Sequence, residues 1–134
     1  MRVLLDTNVL ISGVLWHGPA ERILDLWLEG RVTLVVTLPI LEEYREVLLR
    51  FMDQGADLYA KWDHLLTESS ELIEPVSTKM SVRDPDDRMW LEAAAGGKPA
   101  FIVSGDKDLL VLKEVQGIPV IQPHEFLSRF HKLP

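Results

Sequence analysis

Cysteine is absent from the 134 residues. That excludes a disulfide framework, a thiolate metal site and a thiol nucleophile. Long apolar runs are missing too. The longest, VTLVVTLPIL at 32–41, falls far short of the roughly 20 residues a membrane helix needs. The N-terminus lacks a charged lead followed by a long apolar segment, so no signal peptide is expected. A soluble, cytoplasmic protein is the expectation. Repeats, low-complexity tracts and linker-like stretches are also lacking, and the length then implies a single domain over 1–134. A chain of this size buries roughly two thirds of its extended-chain surface in one core. Positive charge is scarce, since 14 Lys and Arg stand against 21 Asp and Glu, a net −7. That argues against a general nucleic-acid binder, whose affinity comes from neutralising phosphates. It does not exclude a nuclease. Carboxylates that hold a divalent cation add negative charge, and the cation then supplies the positive field.

What the chain does contain is an alternation of short apolar runs and helical patterns. RVLL (2–5), VTLVVT (32–37), AFIVS (100–104) and IPVIQ (118–122) are rich in Val, Ile and Leu without strict alternation. This suits strands buried on both faces of a parallel sheet. IEPVS (73–77) is a weaker candidate, and Pro75 would place it at an edge. Helices are expected over 19–29, ending at Gly30 as C-cap, and over 38–51 with Pro39 in the first turn. Further helices are expected over 56–73 (single or paired), over an alanine-rich 85–95 ended by GGKP, and over 124–130. The order predicts a three-layer α/β/α sandwich around a mostly parallel sheet of four to five strands. In such sheets ligands sit beyond the C-terminal strand ends, where the strand order reverses.

Several acids map to that edge, and each has an ordinary structural reading. Asp6 follows RVLL directly and reads equally as a turn residue or the N-cap of whatever TNVLISG forms; Asn8 is equally at home in a turn. In the 38–51 helix, Ile40, Leu41, Tyr44, Val47, Leu48 and Phe51 make one apolar stripe. At about 100° per residue, Glu42 and Glu46 point away from it, whereas Glu43 falls at its boundary and can lean into a cleft. RDPDD (83–87) looks like a helix start, with Asp84 as N-cap and Pro85 at N1; periodicity does not choose between Asp86 and Asp87. SGDKDLL (104–110) puts Asp106 and Asp108 at another strand end, beside Gly105, which permits close backbone approach. Taken together, Asp6, Glu43, Asp87 and Asp106 fall at one edge of one sheet. Carboxylates so gathered repel one another unless something cationic neutralises them. Hard oxygen donors without His or Cys suit Mg²⁺ or Mn²⁺, one ion or a pair about 4 Å apart.

In this order the residues resemble the PIN-domain family of metal-dependent ribonucleases, which includes VapC-type toxins of toxin–antitoxin pairs. The similarity runs from VLLDTNVLIS through LEEYREVL and RDPDDRMWLEAAA to IVSGDKDLL. The resemblance implies that Asp6, Glu43, Asp87 and Asp106 are the catalytic, metal-holding acids. It prefers Asp87 over Asp86 because Asp87 lies 19 residues before Asp106 with Ala94 at the family's alanine position. It assigns supporting roles to Thr7 or Asn8 and to Ser104, a position where threonine is commoner. Asp84 and Asp108 rank second, as structural residues. It also implies Mg²⁺ or Mn²⁺ as cofactor, an RNA substrate, a cognate antitoxin protein covering this sheet edge, and a homodimer formed through helices.

Departures and rivals follow from the residues. No basic stripe marks an RNA path; Arg45, Arg50, Arg83, Arg88 and Lys107 are scattered. Trp16 and His17 offer rings for stacking on an unpaired base, or simply pack a loop. Trp27, Trp62 and Trp90 sit on apolar helical faces and read as core. No histidine (17, 64, 124 or 131) is well placed as a base. One rival is a non-catalytic PIN-like scaffold acting through partners. Another is aspartyl-phosphate chemistry at Asp6, disfavoured because position 8 is Asn and only Lys107 is near.

Overall fold

The computed structural model describes residues 1–52, 56–78 and 87–132. Strand β1 (Arg2–Leu5) lies near the middle of a six-stranded sheet ordered β3-β2-β1-β4-β6-β5. Its neighbours are β2 (Thr33–Val36), with Val3 opposite Leu34, and β4 (Phe101–Val103), with Leu5 opposite Val103. Beyond β4 comes β6 (Ile118–Ile121), and beyond β2 the short β3 (Glu71–Leu72). These pairings are all parallel; only β5 (Glu114–Val115) runs antiparallel, against β6. Successive strand side chains point to opposite faces, yet Val3, Leu4 and Leu5 are all buried, as are Leu34, Val35 and Val36. Both faces are therefore covered, which is why these strands read as continuous apolar runs.

The covering helices are α1 (Thr7–Leu15), α2 (Pro19–Leu28), α3 (Leu38–Phe51), α4 (Ala56–Ser69), α5 (Arg88–Gly97), α6 (Lys107–Leu110) and α7 (Pro123–His131). Helix α2 packs on α1 and α7, and α3 packs on α4 and α5. The expected three-layer architecture is present, with six strands where four or five were anticipated.

The differences have local causes. Helix α1 was not anticipated, because Val9, Ile11 and Gly13 are poor helix formers. It forms because Val9, Leu10 and Ile11 bury against the sheet layers, and tertiary burial outweighs propensity. Gly13 fits there because a Cβ would stand 2.7 Å from a Leu24 methyl carbon and 2.9 Å from the Ala20 carbonyl oxygen. The expected strand at 73–77 is displaced to Glu71–Leu72. The Ile73 amide still donates to Val36 O at 2.8 Å, but Pro75 has no amide, and Val76 N turns instead to Glu92 O on α5 at 3.0 Å. Strand β5 was missed because its hairpin turn is Gln116-Gly117, both at positive φ (54° and 79°), where Asn-Gly would have been the recognisable signal. Phe51 and Leu28, placed on apolar stripes, are exposed. The start of the 85–95 helix lies outside the described residues, and its end runs through both glycines to Gly97, with Lys98 in the left-handed region.

Gly96 is where packing and propensity oppose each other. Replacing a helical glycine by alanine ordinarily stabilises by about 1 kcal/mol. Here the new methyl would overlap the Glu74 carbonyl oxygen and stand 3.2 Å from Pro75 Cα, both backbone atoms that cannot rotate away. Overpacking of this kind costs about 1–3 kcal/mol, so clash wins. Gly96→Ala is expected to lower the urea midpoint by the equivalent of up to about 2 kcal/mol, the overpacking cost less the propensity gain, whereas a higher midpoint would show that the 73–78 segment yields freely.

Candidate metal centre

Strand order changes direction at β1, whose successor β2 lies on one side and β4 on the other. The C-terminal ends of β1 and β4 therefore open a crevice. Asp6 stands at its floor. It occupies the N-cap position of α1, where its backbone carbonyl accepts from the Val9 and Leu10 amides at 3.0 and 3.1 Å. Its carboxylate makes no capping bond. It accepts instead from Ser104 Oγ at 2.8 Å, and only 7 % of the residue is exposed. The turn or cap reading thus accounts for the backbone of Asp6 and not for its side chain.

Ser104 is fully buried and orders the two strand ends together. Its hydroxyl donates to Asp6 and accepts from the Asp106 amide at 2.9 Å. Asp106 caps α6, and its Oδ1 accepts from the Asp108 amide at 2.8 Å. Asp108 contributes that amide and does not line the crevice. Glu43 leans in from α3 half-buried, as the helical phase suggested, and Glu42 and Glu46 are exposed. Thr7 Oγ1 donates to Glu43 Oε2, so between Thr7 and Asn8 it is Thr7 that holds an acid; Asn8 lies exposed at the rim. Asp87, 7 % exposed, sits at the N-cap of α5 without a side-chain cap bond. Asp84, Pro85, Asp86 and Arg83 lie outside the described residues.

The four expected acids line a single cavity of about 210 Å³, together with Thr7, Asn8, Val47 and Trp90. Two of its features were not read from the sequence. Trp90 and Val47 give the cavity an apolar wall. Tyr44 was read only as an apolar position, yet its hydroxyl donates to the Leu5 carbonyl. Burial, then the Asp6 and Glu43 charges, push the Tyr44 hydroxyl well above 10.0, so it stays a donor.

Burial is also the largest influence on Asp6, raising its carboxyl above 3.8. The Asp106 and Glu43 charges add to the rise, and the Ser104 hydroxyl and Thr7 amide oppose it. A group whose folded pKa exceeds its unfolded value weakens folding as pH climbs through the interval between them. Ionised Asp6 is therefore a destabilising group. Among the described residues no cationic side chain lines the cavity. Among the described residues no three Asp, Glu or His side chains form a ready-made metal-holding group. The chemistry of the donor set, four carboxylates and no nitrogen or sulfur, fits a hard divalent cation.

The other sequence candidates are not brought here. Arg45 is paired with Asp63 at 2.5 Å, Arg50 with Glu46 at 2.6 Å, and Arg88 donates to Thr78 O at 3.0 Å. Lys107 is exposed beside the rim. Trp16 and His17 are exposed at the far end of α1, about 13 Å along its axis from Asp6, with His17 paired to Glu21 at 3.0 Å. Trp27, Trp62 and Trp90 are buried as expected.

A parallel α/β sheet with carboxylates gathered at its switch point defines an α/β fold with an acidic crevice. The PIN domain family model matches residues 2–108, and the chain belongs to that family. PIN domains are generally nucleases and typically use divalent metals. The fold is similar to that of a chain in the crystal structure of VapBC2 from Rickettsia felis bound to a DNA fragment from their promoter. The TM-score is 0.62 at 15 % identity, covering 90 % of this chain and 97 % of that one. No curated protein matches the chain.

Two outcomes follow from the Asp6 environment. Asp6→Asn keeps an acceptor for Ser104 and removes the buried charge. Its Tm in EDTA is expected to rise by a few degrees at neutral pH, the usual release at a strained site; a fall would contradict the assigned strain. Ser104→Ala removes a donor that favours the ionised form, so the Asp6 carboxyl titration, followed by ¹³C NMR without metal, is expected to move further up.

Proposed function

We propose that the chain is a Mg²⁺- or Mn²⁺-dependent endoribonuclease, the toxin component of a toxin–antitoxin pair. The observation that carries this is the convergence of Asp6, Glu43, Asp87 and Asp106 on one cavity with no cationic lining among the described residues. An anionic substrate cannot enter such a cavity by itself, since like charges in a partly desolvated site repel strongly. The four acids would hold the cation directly or through water. Such an ion would supply a lowered pKa for a bound water and neutralisation of charge at phosphorus, the chemistry of a phosphodiester hydrolysis giving a 5′-phosphate and a 3′-hydroxyl.

The protein's own residues do the positioning. Ser104 fixes the rotamer of Asp6, and Thr7 fixes Glu43. Asp108 holds Asp106 by its amide, while Trp90 and Val47 limit water at one wall. Among the described residues no histidine lines the cavity, so the carboxylates are the side chains available to take a proton there. Further parts of the reading are a cognate antitoxin protein over this sheet edge, a homodimer formed through helices, a single domain spanning 1–134 and a cytoplasmic location. The similarity to a chain of VapBC2 supports the antitoxin partnership. Among the described residues no helix is long and apolar enough to cross a membrane.

A second reading, a non-catalytic PIN scaffold, is favoured by the lack of a ready-made ligand group among the described residues. One experiment separates the two. A mixed set of structured and single-stranded RNAs is incubated with Mg²⁺, Mn²⁺ or EDTA, for the wild type, Asp6→Asn and Asp87→Asn, with folding checked by circular dichroism. Metal-dependent cleavage lost at least about 100-fold in both folded variants is expected, the scale on which removing one transition-state-stabilising group reduces rate. Cleavage that survives either substitution would show the site misassigned. A folded, metal-binding wild type that cleaves none of the set would favour the scaffold.

A further inference from the structure

A second cavity adjoins the acidic one and differs from it in chemistry. It encloses about 200 Å³ and is lined by Asn8, Val9, Ser12, Ala20, Gly105 and Pro123. None of these residues is charged. Asn8 belongs to both cavities. The two strand-end segments supply neighbouring residues to each side, with Asp6 and Thr7 facing the acids and Val9 and Ser12 the neutral cavity. After β4 the same division holds, Asp106 lining one and Gly105 the other. Consecutive Cα atoms are 3.8 Å apart, so the partition is about one residue thick. That matches the step from a phosphate to the nucleoside attached to it.

Resting on the phosphodiesterase reading of the acidic crevice, we propose that the neutral cavity is a subsite for one unpaired nucleobase next to the scissile phosphate. Its volume lies below the about 300 Å³ at which pockets begin to hold drug-sized molecules, so it admits one ring system. Val9, Ala20 and Pro123 offer apolar contact to the faces of a flat ring. The Asn8 amide and the Ser12 hydroxyl engage no other group among the described residues, and both can donate and accept at a base edge. Bases are read in this way in single-stranded RNA, where they are splayed out of the stack. An acidic chain with no cationic side chain among the described residues of its acidic cavity gains affinity from such a pocket. The cavity thus suits a base in single-stranded RNA, since a paired base is held in the helical stack and cannot be splayed into it.

Gly105 provides the test. It is exposed, its φ is outside the left-handed range, and a Cβ there meets nothing within 4 Å. Gly105→Leu therefore adds apolar bulk at the cavity's edge without a clash at Cβ, which an unchanged urea midpoint checks. With Mg²⁺ present to neutralise the acidic cavity, ¹⁵N-labelled protein is titrated with each of the four nucleoside 5′-monophosphates and with ribose 5-phosphate. The expected result is that at least one nucleotide shifts the Val9, Ser12 and Gly105 amides, that ribose 5-phosphate does not, and that Gly105→Leu abolishes the shifts. On cleavable single-stranded RNA the variant is expected to raise KM at least tenfold with little change in kcat. Equal shifts from ribose 5-phosphate would reassign the cavity to the sugar–phosphate chain and overturn the proposal. So would silence of these amides towards every nucleotide, which leaves the cavity to a partner protein's side chain. A wild type that cleaves no RNA yet shows base-dependent shifts would sink the nuclease reading and leave the subsite standing.

Discussion

Burying one carboxylate at the end of the central strand is the constraint on which the rest of this structure depends. Asp6 loses its hydration on folding and gains in return a single serine hydroxyl and the amide end of α1. The serine is available only because β1 and β4 are hydrogen-bonded neighbours in one register, Leu5 opposite Val103. The residues that follow them, Asp6 and Ser104, are then forced into contact. A slip of one residue would turn the Asp6 side chain to the opposite face of the sheet. The long crossover that carries the chain from β1 through β2 and β3 and back to β4 thus serves, locally, to hold one hydroxyl against one carboxylate.

The other acids arrive by different routes, and this decides how legible each was. Asp6 and Asp106 were readable because strand ends announce themselves: an apolar run stops, and the next residue must lie at the sheet edge. Glu43 was readable by helical phase, since only one of the three glutamates in LEEYREV stands at the boundary of the apolar stripe. Asp87 was not readable from periodicity, and the family resemblance rather than the pattern separated it from Asp86. The supporting shell was less accessible. Of Thr7 and Asn8, both offered by the resemblance, it is Thr7 that restrains Glu43, a choice that depends on α1, a helix whose sequence argues against itself. Tyr44 looked apolar because its ring is; the hydroxyl that meets the Leu5 carbonyl leaves no mark on hydrophobic spacing. The sheet was legible at its centre and not at its margins. Doubly buried strands write continuous Val, Ile and Leu runs, while two-residue edge strands such as β3 and β5 are defined by partners and turns instead of by composition.

Charge economy links the crevice to the surface. Arg45, Arg50 and Arg129 each stand within hydrogen-bond reach of an aspartate or glutamate, and Arg2 is shared between Glu71 and the Gly97 carbonyl. Such exposed pairs contribute little stability, about 0–1 kcal/mol each, but they offset the charge of cations that are already scattered. The positive potential that any polyanion requires is then concentrated where the carboxylates would place a divalent ion. Long-range steering is weak in that arrangement; recognition shifts to short-range contacts at the crevice itself.

That shift gives the neutral cavity its significance. A site that holds only a metal ion and a phosphate is blind to sequence and to strandedness, since every phosphodiester looks alike to it. The structure places an uncharged, ring-sized hollow one residue away from the acids, walled by the same two strand-end segments that carry Asp6 and Asp106. Those segments are held by Ser104, which links both. The hydroxyl that restrains the desolvated carboxylate therefore also links the walls of the two hollows, so the proposed phosphate and base sites would both depend on one hydrogen-bonded register.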